Sequence, residues 1–315
     1  MRFILKMLTI LVAIFNSRSV NLPCEFEFHY QLGYFCKVVN FTNTNPREYV
    51  NEVIGSHLYP NDKDFRSRSH ASVVRLVMWD SVIHYLPGNL TELFPQLKVL
   101  QVKKCGMKRL TRGEEFHSLR GVYFGFNQID HIPVNYFWHF CKLEMLSLYG
   151  NRISSIPKMA FRDLKSLKRL SLNNNLLREI TPSAFRNCTN LEYVDLDNNH
   201  LVKIDSGLFA NLTKLSRVYL RNNKIRSIGN DFLSTLVNLR FALFQNNSCI
   251  DESLPETPLV TMKSIFLDEC SPIEVTTTTQ RTSTKMRRKK PKYKKKKAYD
   301  YENCSWKTPP GHRYF

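Results

Sequence analysis

Residues 143–151 read LEMLSLYGN, and this nine-residue pattern decides the fold. The pattern recurs at a spacing of 24 residues as LKRLSLNNN at 167–175, LEYVDLDNN at 191–199 and LSRVYLRNN at 215–223. Looser copies begin at Leu119, Leu97, Val73 and Leu239. Eight units over residues 73–250 therefore predict a repeat architecture, in which each unit buries its apolar face only against its neighbours.

Each column of the repeat has a physical reason. The alternating leucines predict a short strand in which every second side chain is buried. The asparagine that follows lies where the chain turns away from the strand, and its amide is suited to bond backbone groups that the bend leaves unpaired. The second half of the unit carries an aromatic residue that we expect to fill the outer half of the coil. These residues are Phe137, Phe161, Phe185 and Phe209, with Leu233 in the seventh unit.

The first two units depart from the pattern. Ser81 and Cys105 take the asparagine position, and the second unit has 22 residues instead of 24. We therefore expect a less regular sheet at this end, with Cys105 as a small buried side chain. Cys188 occupies an apolar column three residues after Phe185, and we expect it to be a second buried thiol.

The 24-residue pattern resembles that of the extracellular leucine-rich repeat proteins of the typical class, which include Toll ectodomains, small leucine-rich proteoglycans and secreted insect proteins. The resemblance covers residues 73–250. It implies an α/β repeat solenoid: a curved horseshoe with a parallel concave sheet, disulfide-capped ends and a disordered C-terminal tail. The opening Cys24-x(11)-Cys36 and Gly55-Ser-His57 are similar to the N-terminal region of small secreted dipteran members.

Residues outside the repeats are assigned to two caps. In the N-terminal cap, residues 20–72, alternating segments on both sides of Leu32-Gly33 predict two strands, closed by a Cys24–Cys36 disulfide. In the C-terminal cap, residues 251–270, we expect Cys270 to return to Cys249. Each closed loop would add about 3 kcal/mol of stability in a chain-entropy treatment. The states of Cys141 and Cys304 are left open by the sequence.

The N-terminus has the composition of a cleavable signal peptide. Arg2 precedes a short apolar run, and the small residues Ser17 and Ser19 follow it. The run is too short to span a bilayer comfortably, although a buried helix or a membrane anchor is the alternative. We expect residues 1–19 to be removed and the protein to be secreted without a membrane span. Asn-x-Ser/Thr sequons, which are potential glycosylation sites in a secreted protein, begin at Asn40, Asn89, Asn187, Asn211, Asn246 and Asn303.

Positive charge is concentrated in residues 271–315, which hold 13 of the 46 basic residues and 3 of the 27 acidic ones. A Ser/Thr-rich linker leads into residues 281–297, which carry 11 basic side chains and no acid; such a segment repels itself and should be disordered. Secretion argues against nucleic acid as the partner and favours a sulfated glycosaminoglycan, with a purely solubilising tail as the alternative. The candidate polyanion-binding residues are Arg287, Arg288, Lys289, Lys290, Lys292, Lys294, Lys295, Lys296 and Lys297.

The sequence contains no recognisable catalytic motif. There is no His-Glu-x-x-His, no Cys-x-x-Cys, no glycine-rich phosphate loop and no Gly-x-Ser-x-Gly. The nine histidines are scattered without metal-ligand spacing. We therefore predict no catalytic residues, no metal site and no cofactor.

The exposed columns of the strands are the candidate ligand site. Tyr, Trp and Arg are enriched at binding hot spots, although isolated aromatics that merely shield the backbone are the alternative. The candidate residues are Trp79, Tyr123, Phe126, Tyr149, Arg169, Tyr193, Arg217, Tyr219 and Arg221. Asp195 and Asp197 fall in the same columns and are expected to be exposed with them.

Together these features predict a secreted, non-enzymatic recognition protein that binds a protein ligand through its concave face, in immunity, adhesion or matrix. The alternative is an extracellular matrix component that binds glycosaminoglycan through its polybasic tail. The sequence does not determine the oligomeric state.

Overall fold

The computed structural model describes residues 19–29, 31–45, 49–57, 69–111, 116–229, 232, 236–250, 253–255, 270, 299–300 and 305–306. The strands are β1 (Ser19–His29), β2 (Gly33–Val38), β3 (Thr42–Asn43), β4 (Tyr49–His57), β5 (Arg75–Trp79), β6 (Val82–Ile83), β7 (Val99–Lys103), β8 (Gly121–Tyr123), β9 (Met145–Ser147), β10 (Arg169–Ser171), β11 (Tyr193–Asp195), β12 (Lys203–Ile204), β13 (Arg217–Tyr219), β14 (Ser227–Ile228), β15 (Phe241–Leu243), β16 (Ser253–Pro255), β17 (Tyr299–Asp300) and β18 (Ser305–Trp306). The helices of the described part are short: α1 (Leu90–Leu93) and two 3₁₀ helices, His70–Ser72 and Pro182–Phe185.

One long sheet collects the repeat strands. Its order is β4-β1-β2-β5-β7-β8-β9-β10-β11-β13-β15-β16, and every neighbouring pair from β2 to β15 is parallel. The register places each column next to its own copy, so that Leu170 lies between Leu146 and Val194. These columns are buried, and short turns on the other side connect the strands. The predicted parallel solenoid is confirmed, with seven turns joining its eight repeat strands.

The N-terminal cap extends this sheet. β1 and β2 form the predicted antiparallel hairpin, which the Cys24–Cys36 disulfide closes, and β2 pairs parallel with β5 of the first repeat. A third cap strand, β4, pairs parallel with β1 and was not predicted. Asn89 of the first repeat holds β4 in position. Its side-chain amide accepts a hydrogen bond from the Val50 N–H (2.9 Å) and donates one to the Val50 carbonyl (2.7 Å).

The asparagine column forms a buried ladder of side-chain amides. The Asn175 carbonyl oxygen accepts from the Ile153 N–H at 3.0 Å, and its Nδ2 donates to the carbonyls of Leu148 (3.0 Å) and Leu172 (2.9 Å). One amide thus bonds the backbone of two successive turns. Asn127, Asn151, Asn199, Asn223 and Asn247 repeat this arrangement.

Ser81 and Cys105 take over part of the asparagine role in the first two units. The Ser81 hydroxyl donates to the Trp79 carbonyl and accepts from the Phe41 N–H, while Cys105 Sγ donates to the carbonyls of Met78 and Lys103. Cys105 and Cys188 are buried free thiols, as predicted. Burial raises the pKa of both, that of Cys188 to about 12, so neither is a thiolate nucleophile at neutral pH.

A column of phenylalanine rings fills the outer half of the coil. The centroids of Phe137, Phe161, Phe185 and Phe209 lie 5.8–5.9 Å apart along it. Leu233, the residue predicted for the next position, lies outside the described residues; the neighbouring Phe232 is buried with its ring 5.6 Å from that of Phe209 and extends the column. Phe232 stands one residue before the position that the 24-residue spacing predicts.

The C-terminal end is closed by the predicted Cys249–Cys270 disulfide, and the Cys270 carbonyl accepts from the Ile228 N–H. Cys141 is also in a disulfide. One part of the predicted disordered tail has regular structure, since β17 and β18 pair antiparallel with Tyr299 opposite Trp306; both aromatics favour strands. Residues 1–18, the polybasic residues 281–297 and Asn303 lie outside the described residues.

Candidate ligand-binding face

The strand residues that alternate with the buried columns form the exposed, concave face of the sheet. Trp79 and Phe126 are the most exposed of its predicted aromatic residues, at 43% and 47%. Arg169 and Arg217 are also exposed, whereas the four predicted tyrosines and Arg221 are half-buried. Most of the predicted site residues fall into two clusters, one in the N-terminal half of the face and one in the C-terminal half.

The first is the aromatic–lysine cluster, composed of Trp79, Lys103, Lys104, Phe126 and Tyr149. The rings of Phe126 and Tyr149 make an edge-to-face contact with centroids 4.6 Å apart. Lys103 Nζ lies 5.4 Å from the centroid of Phe126 and 6.0 Å from that of Tyr149, and Lys104 Nζ lies 5.9 Å from the centroid of Phe126. Both distances to Phe126 are within the range of a cation–π interaction. Beside the rings is a cleft of about 230 Å³ lined by Trp79, Asp80, Lys103 and Lys104.

Two glycines hold the rings of this cluster in place. A Cβ atom on Gly125 would lie 2.1 Å from Cε1 of Tyr149, and one on Gly150 would lie 2.8 Å from Cδ1 of Phe126. Each ring therefore occupies the space above the glycine of the adjacent repeat. Gly150 also has a φ of +64°, a left-handed conformation that glycine adopts without strain, whereas the backbone of Gly125 does not require glycine.

The second is the tyrosine–carboxylate cluster, composed of Tyr193, Asp195, Asp197, Tyr219 and Arg221. The two tyrosine rings make an edge-to-face contact at 5.2 Å, and Arg221 lies over the ring of Tyr219 at 5.6 Å. Asp197 Oδ2 accepts from Arg221 Nε at 2.7 Å, and Asp197 Oδ1 accepts from the Arg221 backbone N–H at 2.7 Å. The rings and the guanidinium are thus fixed relative to one another.

The prediction that Asp195 and Asp197 are exposed is wrong. Their exposed fractions are 9% and 4%, because the longer side chains of Tyr193, Tyr219 and Arg221 surround them. Loss of solvation, together with the negative charge of Asp197, raises the pKa of Asp195 to about 6, although the hydrogen bonds that Asp195 accepts and the positive charge of Arg221 act in the opposite direction. Burial next to Asp195 also raises the pKa of the Tyr193 hydroxyl.

The raised pKa of Asp195 makes stability depend on pH. The folded state favours the neutral carboxyl, so its contribution is fully present below the unfolded pKa of 3.8 and is lost as the pH rises through about 6. Asp195→Asn carries no charge at any pH, so its stability relative to the wild type should be higher at pH 7.5 than at pH 4. Urea unfolding of both proteins at the two pH values measures this difference. Glu92→Gln, which neutralises an exposed carboxylate in α1, is compared with the wild type in the same way as the control. If the stability difference between Asp195→Asn and the wild type were the same at both pH values, the raised pKa of Asp195 would be contradicted.

Three further residues belong to this face and were not predicted: Lys103, Lys104 and Phe241, over which Arg217 lies at 5.5 Å. All three occupy the same columns as predicted residues, so reading each column through every repeat would have found them. Arg169, on β10, lies between the two clusters, whereas Tyr123, on β8, lies among the strands that carry the first cluster. Arg169 is exposed, and the Tyr123 hydroxyl donates to the sulfur of Met145 at 3.4 Å.

The structure gives the glycan candidates different surroundings. Asn211 and Asn40 are exposed, and Asn187 is half-buried. Asn246 is exposed at the strand edge, and its Nδ2 donates to Asn222 at 2.6 Å. The Asn89 amide holds the backbone of β4 on both of its polar atoms, so a glycan there would compete with this contact. Glycosylation of the exposed sequons stays a prediction.

Within the described residues, no group of three or more His, Cys, Asp or Glu side chains is placed to hold a metal ion. The search of the same residues for a helix of sufficient length and apolarity to cross a membrane found none.

Comparisons with known proteins agree with this geometry. Residues 130–257 match the model of the BspA type leucine-rich repeat region, in six copies. The chain is similar to the structure of the LRIM1/APL1C complex, with a TM-score of 0.54 and 20% identity over 71% of this chain and 39% of that one. It is also similar to the Drosophila Toll–Spätzle complex, with a TM-score of 0.54 and 18% identity over 72% of this chain and 31% of that one.

At these identities the structural matches establish the fold alone, and the chain spans well under half the length of either neighbour. No significant match was found among curated proteins. The parallel register, the asparagine ladder and the match over residues 130–257 all point to one architecture: the repeat region of this chain folds as a leucine-rich repeat solenoid.

Proposed function

We propose that this chain is a secreted, non-enzymatic recognition protein that binds a protein ligand through its concave face. The observation that carries the proposal is the concentration of aromatic and arginine side chains on that face, in two clusters whose members hold one another in place. Rigid aromatics lose little conformational entropy on binding and are typical hot-spot residues. Leucine-rich repeat proteins are generally recognition proteins, and both structural neighbours are complexes.

Secretion is supported by the composition of residues 1–19 and by the disulfides that close both ends of the solenoid, since disulfides persist mainly in oxidising compartments. The extracellular context is immunity, adhesion or matrix. The side chains of each cluster contact one another directly. Such an arrangement is more typical of a protein-binding site than of a solvated surface with only scattered aromatics.

The test is capture of extracellular proteins by the tagged mature chain, followed by cross-linking and mass spectrometry. Combined Tyr149→Ala and Arg169→Ala substitutions should weaken capture by about 10-fold or more, while the melting temperature stays within a few degrees because neither side chain is a core residue. Arg186→Ala, an exposed arginine beyond the 3₁₀ helix Pro182–Phe185, is the matched control and should leave capture unchanged. If the wild type, the double variant and Arg186→Ala captured the ligand equally, the proposal that the concave face binds it would be contradicted.

The second candidate function is glycosaminoglycan binding through the tail, which the 11 basic residues of 281–297 favour. Its affinity should fall by orders of magnitude between about 50 and 200 mM salt, because counterions are released on binding. A chain that ends at Ser271 should then pass through a heparin column that retains the full mature chain. If the truncated chain also loses its protein partner, the tail and not the concave face carries the function.

A further inference from the structure

We propose that the aromatic–lysine cluster is the docking point for an acidic segment of the protein ligand. A carboxylate of that segment lies against Lys103 and Lys104, and an adjacent apolar side chain lies on Phe126 and Tyr149. This inference rests on the proposed function and names the chemical class of ligand segment that binds one part of the concave face.

The two lysines supply the positive charge. Lys103 ends β7 and Lys104 follows it directly, and consecutive side chains of a continuing strand would point to opposite faces. Lys104 has a φ of +55°, and both ammonium groups lie within 6 Å of the Phe126 centroid. Neither ammonium forms an ion pair with a carboxylate of the described residues. A cation over an exposed ring is held weakly, so a carboxylate can bind it more strongly through a charge-assisted hydrogen bond.

The rings supply a rigid apolar surface next to these charges. Because Tyr149 fits over Gly125 and Phe126 over Gly150, neither ring has to be ordered when a ligand arrives. Trp79 and Phe126 are each more than 40% exposed, at opposite sides of the two lysines. An apolar side chain placed there is bound without the entropic cost of fixing the site.

The charge distribution favours an acidic peptide over a sulfated polysaccharide. A sulfated chain needs a row of cations along its length. The two lysines are flanked instead by Asp80 in the same cleft and by uncharged rings on the following strands. In the tyrosine–carboxylate cluster the Arg221 guanidinium is already paired with Asp197. Of the two clusters, the aromatic–lysine cluster is therefore the one whose cations are not paired with a carboxylate of the described residues, and its rings supply the apolar surface beside them.

The experiment selects peptides from a phage-displayed library of random 12-residue sequences on the mature protein and measures the affinities of the clones by fluorescence anisotropy. The selected pool should be enriched in Asp and Glu next to aromatic or aliphatic residues. Gly125→Ala tests ring placement, because alanine suits the backbone but its Cβ displaces Tyr149, and should weaken binding by about 10-fold. Gly207→Ala is the matched control, since its Cβ would meet no atom closer than 3.7 Å.

Charge is tested independently, so that the proposal stays testable even if Gly125→Ala does not fold. Lys103→Glu with Lys104→Glu should weaken binding of the same peptides by at least 10-fold. Lys98→Glu with Lys108→Glu, which reverses two exposed lysines of the same repeat, should leave it within 2-fold. Melting curves of every variant establish that it is folded.

Three outcomes of the peptide experiments would overturn the inference: a pool no more acidic than the library, unchanged binding to the Lys103→Glu/Lys104→Glu variant, or displacement of the peptides by a heparin hexasaccharide that depends on the same lysines. The last would identify a polyanion site. If the natural ligand is captured normally by Gly125→Ala but lost with Tyr219→Ala and Arg217→Ala, this inference fails and the proposed function stands. If neither Gly125→Ala nor the Tyr219→Ala and Arg217→Ala substitutions alter capture, the proposed function itself is contradicted.

Discussion

Replacing Asn175 by Ala should lower the free energy of unfolding by about 3–5 kcal/mol. The change leaves the buried Ile153 N–H without an acceptor, which alone costs about 1–3 kcal/mol, and removes further hydrogen bonds worth about 1 kcal/mol each. The Leu148 and Leu172 carbonyls keep a second donor from Asn151 and Asn199, respectively, which limits the loss. Urea unfolding followed by circular dichroism measures the effect.

Asn173→Ala is the matched control for this prediction. Asn173 is half-buried two residues earlier and accepts one hydrogen bond, from the Ser171 hydroxyl at 2.8 Å. Its loss should cost no more than about 1 kcal/mol. Similar losses for Asn173 and Asn175 would mean that the ladder does not carry the stability that its geometry indicates.

Replacing Leu172 by Ala should cost about 2–5 kcal/mol, through lost burial and the cavity that remains. Leu172 is fully buried, in a column with Leu148 and Leu196 of the adjacent turns. Leu176, four residues later, is 43% exposed, so the identical change there should alter stability by no more than about 0.5 kcal/mol. Two equal destabilisations would show that the columns have been assigned to the wrong faces.

The repeat pattern determines most of the fold because its period fixes which side chains are buried. The leucine columns, the asparagine ladder, the four phenylalanines from Phe137 to Phe209 and both cap disulfides follow from spacing and from the need to close the ends. Spacing does not identify Phe232, which extends the phenylalanine column from one residue before the predicted offset. It also misses β4, because the Asn89 amide that holds this strand lies 39 residues from Val50 along the chain.

The candidate site was predicted as a set of columns but not as clusters. The position of Asp195 in the repeat predicts that it lies on the exposed side of the sheet. It does not predict that the longer side chains of its neighbours cover Asp195. Likewise, the contact of Lys103 and Lys104 with Phe126 depends on the positive φ of Lys104 and on the rings that lie over Gly125 and Gly150. Such contacts depend on the side chains of adjacent turns together, which a single repeat does not contain.

The reciprocal packing of Tyr149 over Gly125 and Phe126 over Gly150 also constrains how this sequence can evolve. Each glycine is required by a ring that lies in another repeat, so a mutation that adds a side chain at one position removes the place of an aromatic 24 residues away. Substitutions at these four sites should therefore be inherited in pairs, with glycine lost only in lineages that have also lost the matching ring. An exposed position without such a partner, such as Arg169, is free to change alone as the ligand changes.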